Sequence, residues 1–150
     1  MKTGFSIPLD LFLFCAYNKD VITGFNLIGR AVLAVYNTNK IDINVQRELE
    51  LIKESVLKTV PAEAIYLFGS YAKGNANEDS DLDIYVVIPD NIGKDPLDVN
   101  VDIRMDLCKR RSMPMDLIVG KSSMFNRRKQ HLTMENTVLN EGILIYSLQC

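Results

Sequence analysis

The chain has 150 residues, a length typical of one domain, and its apolar fraction of 47% and charged fraction of 24% are those of an ordinary globular protein. Its net charge of −2, from 17 basic and 19 acidic residues, excludes a strongly basic nucleic-acid-binding module on bulk charge alone. Three scattered cysteines and a single histidine argue against a disulfide scaffold and a structural zinc site, so we expect a reducing, cytoplasmic location.

Residues 1–38 are predicted to form a helical extension ahead of the main domain. The apolar run Phe5 to Tyr17 does not fit a signal peptide, because Pro8 and Asp10 interrupt it and no small-residue cleavage site follows. It is also shorter than the ~20 residues that a membrane span needs. Together with a second apolar run, Leu27 to Tyr36, it predicts one or two short helices that pack on the main domain or on a partner. The alternative is a membrane or lipid anchor.

The remaining residues, 39–150, are predicted to form one α+β (α/β-like) domain. Helical and strand-like patterns alternate along it, which predicts a small mixed sheet with helices packed against one face. In chain order we expect a helix from Ile43 to Val60, strands at Ala64–Phe68 and Leu82–Ile88, a helix with Leu97, Val101, Met105 and Cys108 along one face, a strand at Met115–Val119, a helix in the last stretch and an edge strand at Ile143–Tyr146.

A Gly-Ser pair stands where the first of these strands gives way to a helix start. A glycine there lets a ligand approach the backbone closely, as at Gly69. The free N–H groups of the turn, the Ser70 hydroxyl and the positive end of the helix dipole favour a bound phosphate. Lys73 adds a positive charge one turn further along. These three residues predict a phosphate-binding turn.

Three aspartates form the second half of the candidate site. Asp81 and Asp83 are two residues apart, so in a strand their side chains point to the same face. Asp116 is the polar exception in the apolar strand that begins at Met115. If the two strands are neighbours, the three carboxylates converge, which suits oxygen-only binding of Mg²⁺. Two such ions would clamp the attacking and leaving oxygens of a phosphoryl or nucleotidyl transfer, with Asp116 as candidate base.

The spacing of these residues resembles the signature of the minimal nucleotidyltransferases, small members of the DNA polymerase β-like superfamily. In that signature Gly-Ser is followed, after ten residues, by Asp-x-Asp, and Gly69-Ser70 and Asp81-x-Asp83 stand at this distance. Residues 65–74 and 115–119 are similar to the strand-to-helix turn and the third-carboxylate strand of the family. The resemblance covers residues 43–146 and implies the polymerase β-like nucleotidyltransferase fold.

The resemblance also implies roles for these residues. Gly69 and Ser70 would hold the nucleoside triphosphate, most simply ATP. Asp81 and Asp83 would bind two Mg²⁺ ions, and Asp116 would complete one of the two sites. Lys73 stands where the family more often has arginine, so the positive charge is kept but the planar fork is lost.

Small members of this family often act with a separate helical HEPN protein in toxin–antitoxin pairs. There the resemblance implies that AMP is transferred to a tyrosine of the HEPN ribonuclease, which neutralises it. We therefore expect an enzyme with a protein partner and an antitoxin role. Transfer to a small molecule or an RNA end remains open, as does a non-catalytic module that binds a partner. Oligomerisation remains open as well.

Overall fold

The computed structural model describes residues 21–25, 31–35 and 41–148 of the chain, with side chains from residue 41 onward. The strands of this part are β1 (Val21–Phe25), β2 (Ala31–Val35), β3 (Ala64–Phe68), β4 (Leu82–Ile88), β5 (Met115–Lys121) and β6 (Ile143–Leu148). The helices are α1 (Ile43–Thr59), α2 (Gly69–Lys73), α3 (Pro96–Leu107), α4 (Ser122–Arg128) and α5 (Met134–Glu141).

The described strands form one mixed sheet in the order β1-β2-β6-β3-β4-β5. β4 and β5 are parallel because α3 connects them as a crossover, while the other described pairs are antiparallel. The part of the chain that the family resemblance covers contains β3 to β5, most of β6 and the helices between them. The predicted mixed sheet is confirmed.

Local signals explain why the predicted elements appear where they do. The side chain of Asp42 accepts a hydrogen bond from the Asn44 N–H at the start of α1, and Asp95 does the same for the Leu97 N–H at the start of α3. Pro96 occupies the first turn of α3, where it costs no hydrogen bond. The predictions for α1, β3, β4 and α3 are confirmed, and β5 runs two residues further than expected.

Helices cover both faces of the sheet, so the prediction that they cover one face is wrong. α1 and α3 pack on one face against alternate residues of the strands, including Leu67 and Ile84. On the other face Phe125 of α4 and Val138 of α5 pack against Tyr85 and its neighbours. The second half of β4 has apolar residues on both faces of the sheet, so helices must pack on both faces to bury them.

The predicted helical extension is wrong where the structure describes it, since residues 21–25 and 31–35 are antiparallel strands. Their sequences are rich in β-branched residues, which favour strands, and β2 finds a partner in β6. The predictions for residues 1–20, 26–30 and 36–38 lie outside the described residues. Of the helices that the structure describes, none has the length and apolar character needed to cross a membrane.

Two expectations for the last third of the chain are also corrected. The last stretch contains two short helices, α4 and α5, in place of one. β6 is not an edge strand, because it lies between β3 and β2 and pairs with both. Its apolar pattern agrees with this internal position, since Ile145 and Tyr146 are both buried.

α3 buries a different face from the one its longest apolar spacing indicates. The buried residues are Val99, Ile103 and Leu107, whereas the stripe with Leu97 is exposed. Lys58 of α1 donates to the Asp106 carboxylate of α3 over 2.6 Å. The hydrogen bond from Lys58 is the largest cause that lowers the pKa of Asp106 to about 2, so this carboxylate is charged and joins the two helices.

Candidate active site

The turn from β3 into α2 is built on a glycine with a left-handed backbone. Gly69 has φ +70°, a conformation that glycine adopts without steric cost. A Cβ at this position would overlap the carboxylate of Asp83, which lies against the glycine backbone. Phe68 and Asp83 are paired residues of β3 and β4, which explains the close approach. Gly69 therefore leaves the space that the Asp83 carboxylate occupies.

The predicted phosphate-binding residues lie together in α2. Ser70 is half-buried in the first turn, and Lys73 is in the last turn of this five-residue helix. Lys73 forms an ion pair with Glu141 at the end of α5, over 2.8 Å, with both side chains about half exposed. One turn of helix has only a small dipole, so the N–H groups of the turn and the Ser70 hydroxyl are its main anion-binding groups.

The loop between α2 and β4 is held by its own hydrogen bonds. The Ser80 hydroxyl accepts from the Asn77 N–H at 2.9 Å and donates to the Asn77 side-chain oxygen at 3.0 Å. The same Asn77 oxygen accepts from the Asp79 N–H at 3.0 Å. These contacts hold the ten-residue spacing between the Gly-Ser turn and the first aspartate in one conformation.

Two of the predicted carboxylates face each other across parallel strands. Asp83 of β4 and Asp116 of β5 are register partners, and Asp81 lies one residue before β4 begins. Asp81 and Asp116 are exposed, whereas Asp83 is half-buried. Burial, the charge of Asp116 and then the charge of Asp81 raise the pKa of Asp83 above its ordinary value. Asp116 and Asp81 therefore lie close enough to Asp83 to act on it electrostatically.

This mutual repulsion makes the site suited to a cation. Within residues 41–148 no three His, Cys, Asp or Glu side chains are already gathered closely enough to hold a metal ion by themselves. Asp83 and Asp116 can supply oxygen ligands from adjacent strands, which is the chemistry that Mg²⁺ prefers, with water and phosphate oxygens as the remaining ligands. A positive ion between them would relieve the repulsion that raises the pKa of Asp83.

A polar cluster built around a buried tyrosine and a buried glutamate lies on the same face of β4 as Asp83. Tyr85, on the same strand face as Asp83, donates from its hydroxyl to Glu135 of α5 over 3.2 Å. The other Glu135 oxygen forms an ion pair with Arg128 Nε over 3.0 Å. Gly120 makes room for the phenol, since a Cβ there would overlap the Tyr85 hydroxyl.

The pKa values of Tyr85 and Glu135 keep the phenol protonated as the donor and the carboxylate charged as the acceptor. Burial and then the charge of Glu135 raise the pKa of Tyr85 well above its ordinary value, so the phenol stays a donor. Burial alone would raise the pKa of Glu135, but hydrogen bonds from its backbone and from Thr133, with the charge of Arg128, hold it below its ordinary value. Strand periodicity indicates Tyr85, but nothing in the sequence links Glu135 to it, 50 residues away.

Comparison with known proteins identifies the family of the chain. The family model described as polymerase beta, nucleotidyltransferase matches residues 50–149, which include all the candidate site residues. A protein of Methanocaldococcus jannaschii named as a candidate protein adenylyltransferase is 34% identical over 82 residues, covering 55% of this chain and 76% of that protein.

Three solved structures are also similar. A candidate nucleotidyltransferase from Sulfolobus solfataricus has a TM-score of 0.43 at 23% identity, covering 72% of this chain and 90% of that one. A mutant of the toxin–antitoxin pair MntA-HpeT has a TM-score of 0.47 at 19% identity, with 67% and 74% covered. A toxin–antitoxin structure with AMP-PNP has a TM-score of 0.44 at 20% identity, with the same coverage. The extent of the family match shows that the chain is a nucleotidyltransferase and belongs to the polymerase beta nucleotidyltransferase family.

Proposed function

We propose that the chain is a protein adenylyltransferase, which transfers AMP from ATP to a hydroxyl group of a partner protein. The observation that carries this proposal is the 34% identity to the relative named as a candidate protein adenylyltransferase, over 76% of that relative's length. The acceptor we favour is a tyrosine of a helical HEPN-type toxin, which would make the chain the antitoxin of the pair.

The donor nucleotide would lie along the turn from β3 to α2. The backbone N–H groups that follow Gly69 and the Ser70 hydroxyl would bind phosphate oxygens. Lys73 would turn from Glu141 to the β- and γ-phosphates, a change with little cost because an exposed ion pair contributes only ~0–1 kcal/mol. This arrangement would place the α-phosphorus between the turn and the carboxylates of Asp83 and Asp116.

The chemistry would then be an in-line displacement at the α-phosphorus. The acceptor hydroxyl oxygen forms the new P–O bond, the bond to the bridging oxygen breaks, and pyrophosphate leaves. Asp116, whose side chain is exposed beside Asp83, would take the hydroxyl proton. Asp81, Asp83 and Asp116 would hold the Mg²⁺ ions, which when bound neutralise phosphate charge. Asp83, whose carboxylate lies against the Gly69 backbone, would hold its oxygen ligands for a cation in a fixed position, and that cation would orient the phosphate.

The test is transfer of label from ATP to the acceptor. The purified chain is incubated with α-³²P-ATP, Mg²⁺ and a purified helical HEPN-type protein as the candidate acceptor, which is then analysed for AMP on tyrosine by mass spectrometry. Asp83→Ala should abolish the label, whereas Asp79→Ala, which removes an exposed carboxylate of the same loop, should leave it unchanged. A partner equally unlabelled with wild type and Asp83→Ala would refute protein adenylylation.

Two other acceptors are tested in the same assay. Between Glu78 and Asp106 the chain has nine acidic and two basic residues, which would also suit a cationic small molecule such as an aminoglycoside. Label on an aminoglycoside or on an RNA 3′ end, with none on the protein, would assign the acceptor to that class.

A further inference from the structure

The outer face of α3 carries an apolar stripe that no described part of the chain covers. Leu97, Val101 and Met105 follow one another at intervals of four residues and are 76%, 58% and 72% exposed. Cys108 continues the stripe and is exposed as well. We call these four residues the α3 stripe. Single exposed apolar residues are ordinary, but a continuous row along a helix marks an interaction surface.

Two polar side chains of α3 hydrogen-bond to β5 and leave the α3 stripe facing solvent. Asn100 donates to the carbonyl of Leu117 over 2.6 Å, and Arg104 donates to the carbonyl of Met115 over 3.4 Å. Both carbonyls belong to β5, the last strand of the sheet. α3 thereby covers the open edge of β5, and its apolar stripe lies on the side away from the sheet core. The contact at Met115 adjoins Asp116, so the surface reaches the catalytic end of the strand.

Two arginines beside the α3 stripe have uncompensated charge. Arg104 and Arg111 line, with Val101, Met105 and Cys108, a shallow cavity of about 280 Å³. Their hydrogen bonds go to neutral groups, the Asn100 side chain and backbone carbonyls, and neither forms an ion pair with a residue that the structure describes.

Other charged residues around α3 form ion pairs. Arg110, which follows in the chain, is paired with both Asp106 and Glu54. On the opposite border Asp102 is paired with Lys94. The unpaired positive charge is therefore concentrated on the border where the cavity lies.

We propose that the α3 stripe and its two arginines bind an amphipathic helix of the acceptor protein, which presents apolar side chains to the stripe and carboxylates to Arg104 and Arg111. An amphipathic helix binds by laying its apolar face into an apolar groove of its receptor, and the shallow cavity beside the stripe offers such a surface with the two arginines at its border. The inference rests on the proposed function for the identity of the partner.

The test is the affinity of the chain for the helical HEPN-type protein used in the adenylylation assay, measured by isothermal titration calorimetry. Val101→Asp and Met105→Asp should each weaken binding by at least about 10-fold, because a charge in the centre of an apolar contact is not solvated. The matched control is Leu132→Asp, a fully exposed leucine on the opposite side of the sheet, which should bind like wild type. All three positions are exposed, so thermal unfolding should confirm that the variants fold.

A second pair of variants tests the charge. Arg111→Glu should weaken binding, and the loss should shrink as salt is raised, whereas Arg127→Glu, an exposed arginine of α4, should not weaken it. Alkylation of Cys108, followed at the peptide level by mass spectrometry, should be fast in the free chain and slow in the complex. Slow alkylation in the free monomer would mean that the chain covers its own stripe, and would overturn the proposal.

The remaining outcomes separate this inference from the proposed function. Binding lost in Met105→Asp, with no AMP found on the bound wild-type partner, supports the docking surface and refutes the adenylyltransferase. AMP transferred equally well by wild type and Met105→Asp, with equal affinities, overturns the docking surface alone. A stripe variant that only converts a homodimer to a monomer would assign the surface to a second copy and overturn the inference, as would a wild type that does not bind the partner.

Discussion

Replacing Gly69 with alanine tests whether the close approach of the backbone to Asp83 is needed for activity. The glycine has φ +70°, and a Cβ there would lie 2.8 Å from the Asp83 Cγ and 3.2 Å from its Cβ. Since carbon atoms in contact are ordinarily ~3.5–4.0 Å apart, the carboxylate would have to move by about 1 Å. Gly69→Ala should therefore displace the one half-buried carboxylate of the site.

The chain contains a matched control for the backbone strain. Gly74, at the end of α2, has φ +73°, and a Cβ there would meet nothing within 4 Å. Both alanine variants should lose about 1–2 kcal/mol of unfolding free energy from the left-handed conformation. Only in Gly69→Ala would the new Cβ also overlap the Asp83 carboxylate. A displacement of about 1 Å at a reacting centre costs on the order of 100-fold in rate.

The assay has two parts. Urea unfolding gives the stability of each variant, and transfer of AMP from labelled ATP gives the rate under conditions where both variants are fully folded. We expect Gly74→Ala to keep its activity within about twofold and Gly69→Ala to lose about 100-fold. If the two variants were equally active, the overlap with Asp83 would not matter to catalysis, and the role assigned to this carboxylate would be wrong.

Three further predictions concern contacts around the site. Tyr85→Phe removes a hydrogen bond to the buried Glu135 carboxylate and should cost about 1.5 kcal/mol in urea unfolding, a loss that should shrink in a Glu135→Gln background. Lys73→Ala should raise the KM for ATP, whereas Glu141→Gln, which frees the lysine, should lower it or leave it unchanged; the opposite pattern would remove Lys73 from the nucleotide site. Lys58 donates to Asp106 and holds its pKa at about 2, below the ordinary value. The charged carboxylate therefore stabilises the fold at pH values above the ordinary aspartate pKa. That contribution is lost as pH falls towards 2, so Asp106→Asn should be less stable than wild type at pH 7 and equal to it near pH 2 in urea unfolding.

The candidate site could be predicted from the sequence because each of its signals is local. The turn at Gly69 depends on a glycine and its neighbours, and the side-by-side placement of Asp83 and Asp116 depends on two short strands whose apolar residues alternate. The crossover through α3 then makes these strands parallel neighbours. The Asp83–Asp116 register pairing follows from these local patterns and the crossover.

The features that could not be predicted depend on contacts between distant segments. Glu135 contacts Tyr85 across 50 residues, and its own helix contains no pattern that singles it out. The strands at residues 21–25 and 31–35 take their place by pairing with each other and with β6. Apolar runs of five residues do not distinguish a strand from a short helix until that partner is known.

In α3, apolar periodicity alone does not identify the face that packs against the sheet. The helix has two apolar rows, and the sequence does not say which one the sheet covers. The row with Val99 and Ile103 is buried because Asn100 and Arg104, beside it, reach the open carbonyls of β5 and fix the rotation of the helix. The row with Val101 is left in solvent by this rotation, and it is the row for which we propose a partner.

The packing of the core also fixes the direction in which the carboxylates point. Leu82 and Ile84 are fully buried on one face of β4, and Leu117 is buried on the same face of β5. A slip of either strand by one residue would place Asp83 or Asp116 in that core and bring an apolar residue to the site. Such a slip would bury an unpaired charge, which costs several kcal/mol, so the core selects against it. The apolar residues between the aspartates therefore hold two repelling carboxylates on one face, where a cation and a phosphate can meet them.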